Sequence, residues 1–145
     1  MADVHAWLGT YEFPHGLPGF PTWTRWRLEF LEAPFFLLVA EADERIALPL
    51  IAPELVVNPY HLHVSPEAWA YAFGDPPRPE DVLVLVVVAV RNPVATSTVN
   101  LLAPIVFDVR RRQAAQILQE SGEYPLRALL FREEDGRARP LAQGR

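Results

Sequence analysis

Hydrophobic and polar positions alternate most clearly over Trp23–Leu31. Trp26, Leu28 and Phe30 fall on one side there, and Arg25, Arg27 and Glu29 on the other. A period of two is that of a half-buried strand. The run Phe35–Val39 after Pro34 has no alternation and predicts a strand buried on both faces. Asp43 and Glu44 then turn the chain into Ile46–Ile51, a hairpin partner. Its Pro49 predicts an edge or a bulge, because proline donates no ladder hydrogen bond. Val82–Val90, built almost wholly of valine and leucine, predicts the central strand. Ser97–Asp108 predicts another, broken in two by Pro104. Val4–Glu12 predicts a first strand, Leu55–Tyr60 ends a further extended segment, and Tyr124–Phe131 is a last short element. Arg110–Gln119 reads two ways: helix by propensity, strand by its neighbouring turn chemistry.

One helix stands out. Ser65 has N-cap chemistry and Pro66 is already at helical φ, so Ala68–Phe73 predicts a short helix stopped by Gly74. Pro76, Pro77 and Pro79 form a stiff connector behind it. The segment Phe13–Pro21, dense in glycine and proline, predicts defined turns pinned to the core by Phe13, Leu17 and Phe20. The chain carries 15 prolines in 145 residues. So many interruptions favour short elements over long helices. With no internal repeat and no domain-scale linker, the expectation is one mostly β domain over residues 1–131. About eight short strands and one or two short helices point to a small antiparallel β-barrel or sandwich. Residues 132–145 are expected to form a fraying, charged tail.

Composition narrows the function. Half of the residues are hydrophobic and 21% are charged, as in a globular chain. All 13 basic residues are arginine, and the net charge is −5. An acidic domain repels phosphate backbones, so direct nucleic-acid binding is not expected and a basic protein partner is favoured instead. There is no cysteine, which excludes disulfides, thiol catalysis and zinc–thiolate sites. Met1–His5 lacks the basic and apolar regions of a signal peptide, and Val82–Val90 is too short to span a membrane. A cytoplasmic protein is therefore expected.

Catalytic equipment is sparse. No G-x-S-x-G and no phosphate-binding loop occurs, and Pro18 removes a donor from Gly16–Gly19. His61 and His63 have metal-like spacing, since residues i and i+2 of a strand share a face. A catalytic metal needs a third ligand. A metal-dependent β-barrel enzyme using this pair is the alternative to a binding protein. Glu133–Asp135 reads as a solvated run. Trp26, Phe30, Phe35 and Phe36 read as core, and Trp69 as a modest candidate for an exposed contact. Asn58 and Asn100 are polar positions within apolar, β-rich stretches. Asn100 reads as satisfying backbone groups at a bulge or strand end; Asn58 is evenly placed between that role and facing a partner.

Several of these segments together resemble one family. Phe13-Pro14-His15-Gly16-Leu17-Pro18-Gly19-Phe20 resembles the F-P-x-G-L-P-G-F motif of flagellar assembly factor FliW proteins. Val57-Asn58-Pro59-Tyr60 resembles their V-x-N-P element, and Pro79–Leu85 the acidic lead into their central strand. Thr98-Val99-Asn100-Leu101-Leu102-Ala103-Pro104-Ile105-Val106 resembles their T-x-N-L-x-A-P-I-V strand. Gln116–Leu118 and Glu123–Arg127 resemble C-terminal landmarks. The match runs in order from about Leu8 to Leu130. Asp108 stands where the family usually has asparagine, and Ala114 where a turn glycine is common, so the hairpin after Asp108 is expected to be rebuilt or partly helical.

The resemblance implies a small cytoplasmic β-barrel-like protein without catalysis or cofactor. It implies binding to flagellin and to CsrA, the basic, dimeric RNA-binding regulator of translation, whose hold on flagellin messenger RNA such proteins relieve by partner exchange. The expected contact surface comprises Asn58, Pro59 and Tyr60, the helix around Glu67 and Trp69, and the acidic connector at Asp75, Glu80 and Asp81. Phe13, Pro14, Gly16, Leu17, Pro18, Gly19, Phe20, Thr98, Asn100, Ala103 and Pro104 are expected to serve the fold.

Overall fold

The computed structural model describes residues 4–120, 122–134 and 137–140. A helical turn α1 (Val4–Trp7) precedes four strands: β1 (Gly9–Glu12), β2 (Arg25–Phe30), β3 (Phe35–Ala40) and β4 (Ala47–Ile51). Helix α2 (Pro66–Phe73) leads to β5 (Val82–Ala89), followed by β6 (Thr98–Val99), β7 (Ile105–Asp108), β8 (Gln113–Gln116), β9 (Ala128–Leu129), β10 (Phe131–Glu134) and β11 (Arg137–Pro140). Strands pair in the order β4-β3-β2-β1-β8-β7-β5, and β4 also pairs with β5, which closes a seven-stranded barrel. All these ladders are antiparallel except the parallel contact of β1 with β8, Glu12 opposite Gln113. There Glu12 N–H donates to the Arg112 carbonyl at 2.9 Å.

Side chains alternate across the wall. Leu83 and Leu85 of β5 and Ile105 and Phe107 of β7 point into the barrel with Tyr11, Phe13, Trp26, Leu28, Leu38 and Leu50. The intervening Val86 and Val88 pack outside against Val99, Leu101, Tyr124 and Leu130. Val106 and Ala115 pack outside against Ala72 and Phe73 of α2. The barrel therefore carries two partial outer layers, which is why β5 reads as an unbroken apolar run and every residue of β7 is buried. Over β3, Phe36, Leu38, Val39 and Ala40 are buried while Phe35 and Leu37 are only half-buried. That strand is thus covered on one face and partly covered on the other.

Some expectations are corrected. The first strand begins at Gly9, since Val4–Trp7 is helical. Arg112 anchors that turn, donating to the carbonyls of Ala6, Trp7 and Leu8 at 2.7–3.2 Å. Phe30 is 44% exposed at its strand end, where it stacks on Phe36. Strand β4 is no edge: Leu50 and Ile51 pair with Val87 and Val86, and Pro49 precedes the point where that pairing begins. The segment before Asn58 is not extended, because Pro53–Leu55 forms a 3-10 turn. Arg110–Gln119 resolves as strand β8 behind a tight turn.

That turn replaces glycine with other means. Asp108, fully buried, accepts from the N–H groups of Arg110 and Arg111 at 3.1 Å and pairs with the Arg111 guanidinium. Arg112 takes the left-handed conformation, φ 58°, leaving Ala114 free to be a fully buried strand residue. Where the chain was expected to pass from the domain into a charged tail after residue 131, Phe131–Glu134 and Arg137–Pro140 form an antiparallel ladder; residues 135–136 and 141–145 lie outside the described residues.

Candidate functional site

The helix α2 begins as its sequence requires, with Ser65 Oγ accepting from Ala68 N–H at 3.1 Å and Pro66 at the first position. It ends at Gly74, which has positive φ. With about 3.6 residues per turn the same face recurs every three to four residues, so Ala68 and Ala72, with the neighbouring Phe73, bind the helix to the outer wall of β7 and β8. Trp69 lies on the flank of that contact, half-buried and tilted against Phe73 at 5.9 Å. It is a packed residue and not the freely exposed aromatic that the sequence suggested.

Trp69 forms one wall of a surface groove of about 380 Å3, which Leu62, Pro76, Pro77, Pro79 and Val82 complete. The prolines come from the connector, which is stiff, and Val82 is the first residue of β5. Its acids are differently disposed. Asp75 and Glu80 are exposed on either side of the proline run. Asp81 is held by two guanidinium groups, Arg78 at 2.7 Å and Arg110 at 3.2 Å. The hydrogen bond from Arg78 is the largest of the effects that keep its carboxyl below the usual range. Asp81 therefore fastens the connector to the turn after β7 and offers little free charge. Glu67 is two residues from Trp69 on α2, about 200° around the helix, so the helix does not turn both toward one groove.

Asn58 and Pro59 are exposed, and the Asn58 amide makes no hydrogen bond to the described residues. Tyr60 is turned inward. Its hydroxyl donates to the Leu101 carbonyl at 2.6 Å and accepts from Gln119 Nε2 at 2.8 Å. Burial pushes that phenol well above its ordinary range. Its ring lies 4.5 Å from that of Tyr124, whose hydroxyl accepts from His61 N–H. Gln119, 4% exposed, is the hub: Oε1 accepts from His63 N–H at 2.6 Å, and Nε2 also donates to the Leu101 carbonyl. This amide ties residues 60–63, and with them Leu62 of the groove, to the segment after β6. Sequence reasoning missed it, because a lone glutamine in an ambiguous segment carries no signal.

The remaining sequence candidates support the chain itself. Phe13 and Leu17 are core residues, Phe20 stacks on Trp23 at 5.0 Å, and Pro14, Pro18 and Gly19 are exposed in the turns between them. Asn100 Oδ1 accepts from Leu102 and Ala103 N–H at 3.1 and 2.9 Å, closing a turn ahead of the buried Pro104. Leu17, Thr98 and Asn100 border a second cavity. His63 Nε2 lies 2.9 Å from Glu123, but no three His, Asp or Glu side chains converge among the described residues. The metal-enzyme alternative has no site to stand on there. No helix among the described residues is long and apolar enough to cross a membrane.

This geometry defines a small closed β-barrel with one packed helix and an apolar, proline-walled surface groove. The sequence profile of the FliW protein family matches residues 6–130. The flagellar assembly factor FliW of Carboxydothermus hydrogenoformans is 32% identical over 119 residues, covering 81% of this chain and 75% of that protein. The same-named protein of Desulfitobacterium hafniense is 33% identical over 124 residues, covering 83% and 80%. A crystal structure of the flagellar assembly factor FliW superposes with a TM-score of 0.77 at 25% identity over 92% of each chain. The chain belongs to the FliW family.

Proposed function

We propose that this chain is a non-enzymatic flagellar assembly factor of the bacterial cytoplasm. It binds flagellin and CsrA in exchange for one another and so frees flagellin messenger RNA from repression. Family membership across residues 6–130 is the observation that carries the reading. The groove beside Trp69 supports it physically. A rigid apolar depression with exposed Asp75 and Glu80 at its connector suits a basic protein partner. Asn58 and Pro59 are exposed and are included in the proposed contact surface, while Asp81 fastens the connector to the turn after β7.

Calorimetric titration with CsrA and flagellin from the same organism tests the reading. Saturable binding of each, with one excluding the other, is expected. Absence of both at tens of micromolar, weak for a specific complex, refutes it. Asp75→Arg and Asn58→Asp then test the surface, because both residues are exposed and neither change touches the core. If both variants bind normally, the surface lies elsewhere.

A further inference from the structure

Among the described residues, Arg25, Arg27, Arg45, Arg78, Arg110 and Arg111 all form ion pairs with carboxylates. Arg112 is spent on backbone carbonyls. Arg91 and Arg127 have no carboxylate partner among the described residues. The Arg91 guanidinium reaches only Thr98 Oγ1, at 3.5 Å. In a chain of net charge −5, two unmatched cations that meet at one place need an account, and both line the same cavity of about 350 Å3.

The cavity opens beside the barrel interior. Leu17, Phe20, Leu48 and Val87 give it an apolar wall, and all four belong to or pack against the barrel core. Asn100 and Gln116 stand on its polar side. Asn100 spends its oxygen on Leu102 and Ala103 N–H, which leaves its NH2 group. Gln116 spends its NH2 group on the Ala103 carbonyl, which leaves its oxygen. One donor and one acceptor with no further partner among the described residues are what a single peptide group requires. An inorganic anion would use the donor and the arginines but leave both the acceptor and the apolar wall unused.

We propose that this cavity is a docking site for an acidic peptide segment of a partner protein. An apolar side chain enters against Leu17, Phe20 and Leu48, one peptide group is met by Asn100 and Gln116, and flanking carboxylates are met by Arg91 and Arg127. The site shares no lining residue with the groove beside Trp69, and it takes the opposite charge. It rests on no part of the proposed function. Residues Leu17 and Phe20, Thr98 and Asn100, Gln116, and Leu126 and Arg127 come from separate family-like segments, and the fold gathers them around this one opening.

The probe is a capped pentapeptide, Glu-Glu-Leu-Glu-Glu, titrated into the full chain by amide chemical-shift mapping. Its counterpart with glutamine for every glutamate, and one with serine for the leucine, serve as comparisons. Shifts should centre on Thr98, Asn100 and Gln116. The glutamine peptide should bind about tenfold more weakly, the sum of two solvent-exposed ion pairs, and the serine peptide should also lose affinity. The Arg91→Gln/Arg127→Gln variant, altered only at exposed side chains, should melt like the parent and lose the preference for glutamate. Equal binding of the glutamate and glutamine peptides overturns the proposal. So does a preference that survives in the variant, shifts centred elsewhere, or no binding at millimolar peptide.

Discussion

Replacing Gln119 by alanine separates a hydrogen-bonding hub from ordinary packing. The side chain makes three hydrogen bonds: one accepted from His63 N–H and two donated, to the Tyr60 hydroxyl and the Leu101 carbonyl. Each contributes about 1 kcal/mol net, so their joint loss costs about 3 kcal/mol. At about 2–4 °C per kcal/mol for a domain near this size, the melting temperature should fall by about 6–12 °C. Tyr60→Phe is the informative control. The Leu101 carbonyl then keeps Gln119 as its donor and only one N–H of the Gln119 amide loses its acceptor, so about 1–2 kcal/mol is expected. The assay is thermal denaturation paired with hydrogen exchange at His63. In Gln119→Ala that amide should exchange faster by more than the drop in global stability explains, because its acceptor is gone. Equal melting temperatures for the two variants, or unchanged protection of His63, would refute the hub.

Four further outcomes are expected. Gly16 has φ +64°, and a Cβ there would lie 2.5 Å from the Phe20 carbonyl oxygen, whereas Gly19 at φ +88° has open space around it. Gly19→Ala should therefore cost about 1–2 kcal/mol of left-handed strain and Gly16→Ala clearly more, measured by denaturant titration. Arg112→Ala removes three bonds to the carbonyls ending α1 and the cation over the Tyr11 ring; accelerated proteolysis before Gly9 with the barrel still folded is the expected result. Asp81 has a carboxyl pKa lowered by Arg78 and Arg110, so the unfolded chain takes up the proton first as pH falls. Its stabilisation is present above the ordinary aspartate range, near pH 4, and is lost as pH drops through the lowered value. Melting curves from pH 7 to pH 3 should fall more steeply for the parent than for Asp81→Asn. Tyr11 is pushed up to about 12 by burial, so its neutral form favours the fold, and stability should decline between about pH 10 and pH 12, with Tyr11→Phe declining less.

What could be read from the sequence was what local chemistry decides. The valine-rich β5, the capped helix α2, the division of Ser97–Asp108 at Pro104 and the role of Asn100 all follow from propensity, capping and turn rules. What could not be read was decided at long range. Gln113-Ala114-Ala115-Gln116 has helix propensity, yet it is a strand because Ala114 fits the barrel interior and Ala115 the underside of α2. Barrel closure rests on the β4–β5 pairing and on one parallel contact between β1 and β8, for which no local pattern exists. The environment of the candidate surface was only partly legible. Residue types suggested Tyr60, Trp69 and Asp81 as partner contacts, but not that the Tyr60 hydroxyl is bonded to Leu101 and Gln119, that Asp81 is paired with Arg78 and Arg110, or that Trp69 walls a groove.

That redistribution has a physical logic. Among the described residues the core lies inside the barrel, and α2, residues 55–60 and the β6–β9 layer cover parts of its outer wall. Proline-rich connections fill the gaps. They make few ladder hydrogen bonds and leave rigid apolar depressions in place of mobile loops. The groove beside Trp69 arises in this way, flanked by exposed acids, whereas the cavity beside Leu17 is flanked by two arginines with no carboxylate partner among the described residues. Exchange between partners needs contacts strong enough to choose but weak enough to release. Two depressions flanked by opposite charge would serve the proposed exchange. Because the two openings share no lining residue, the mutual exclusion proposed above would require bound partners to collide over the barrel, and simultaneous binding of an acidic peptide and a basic partner would separate the two proposals.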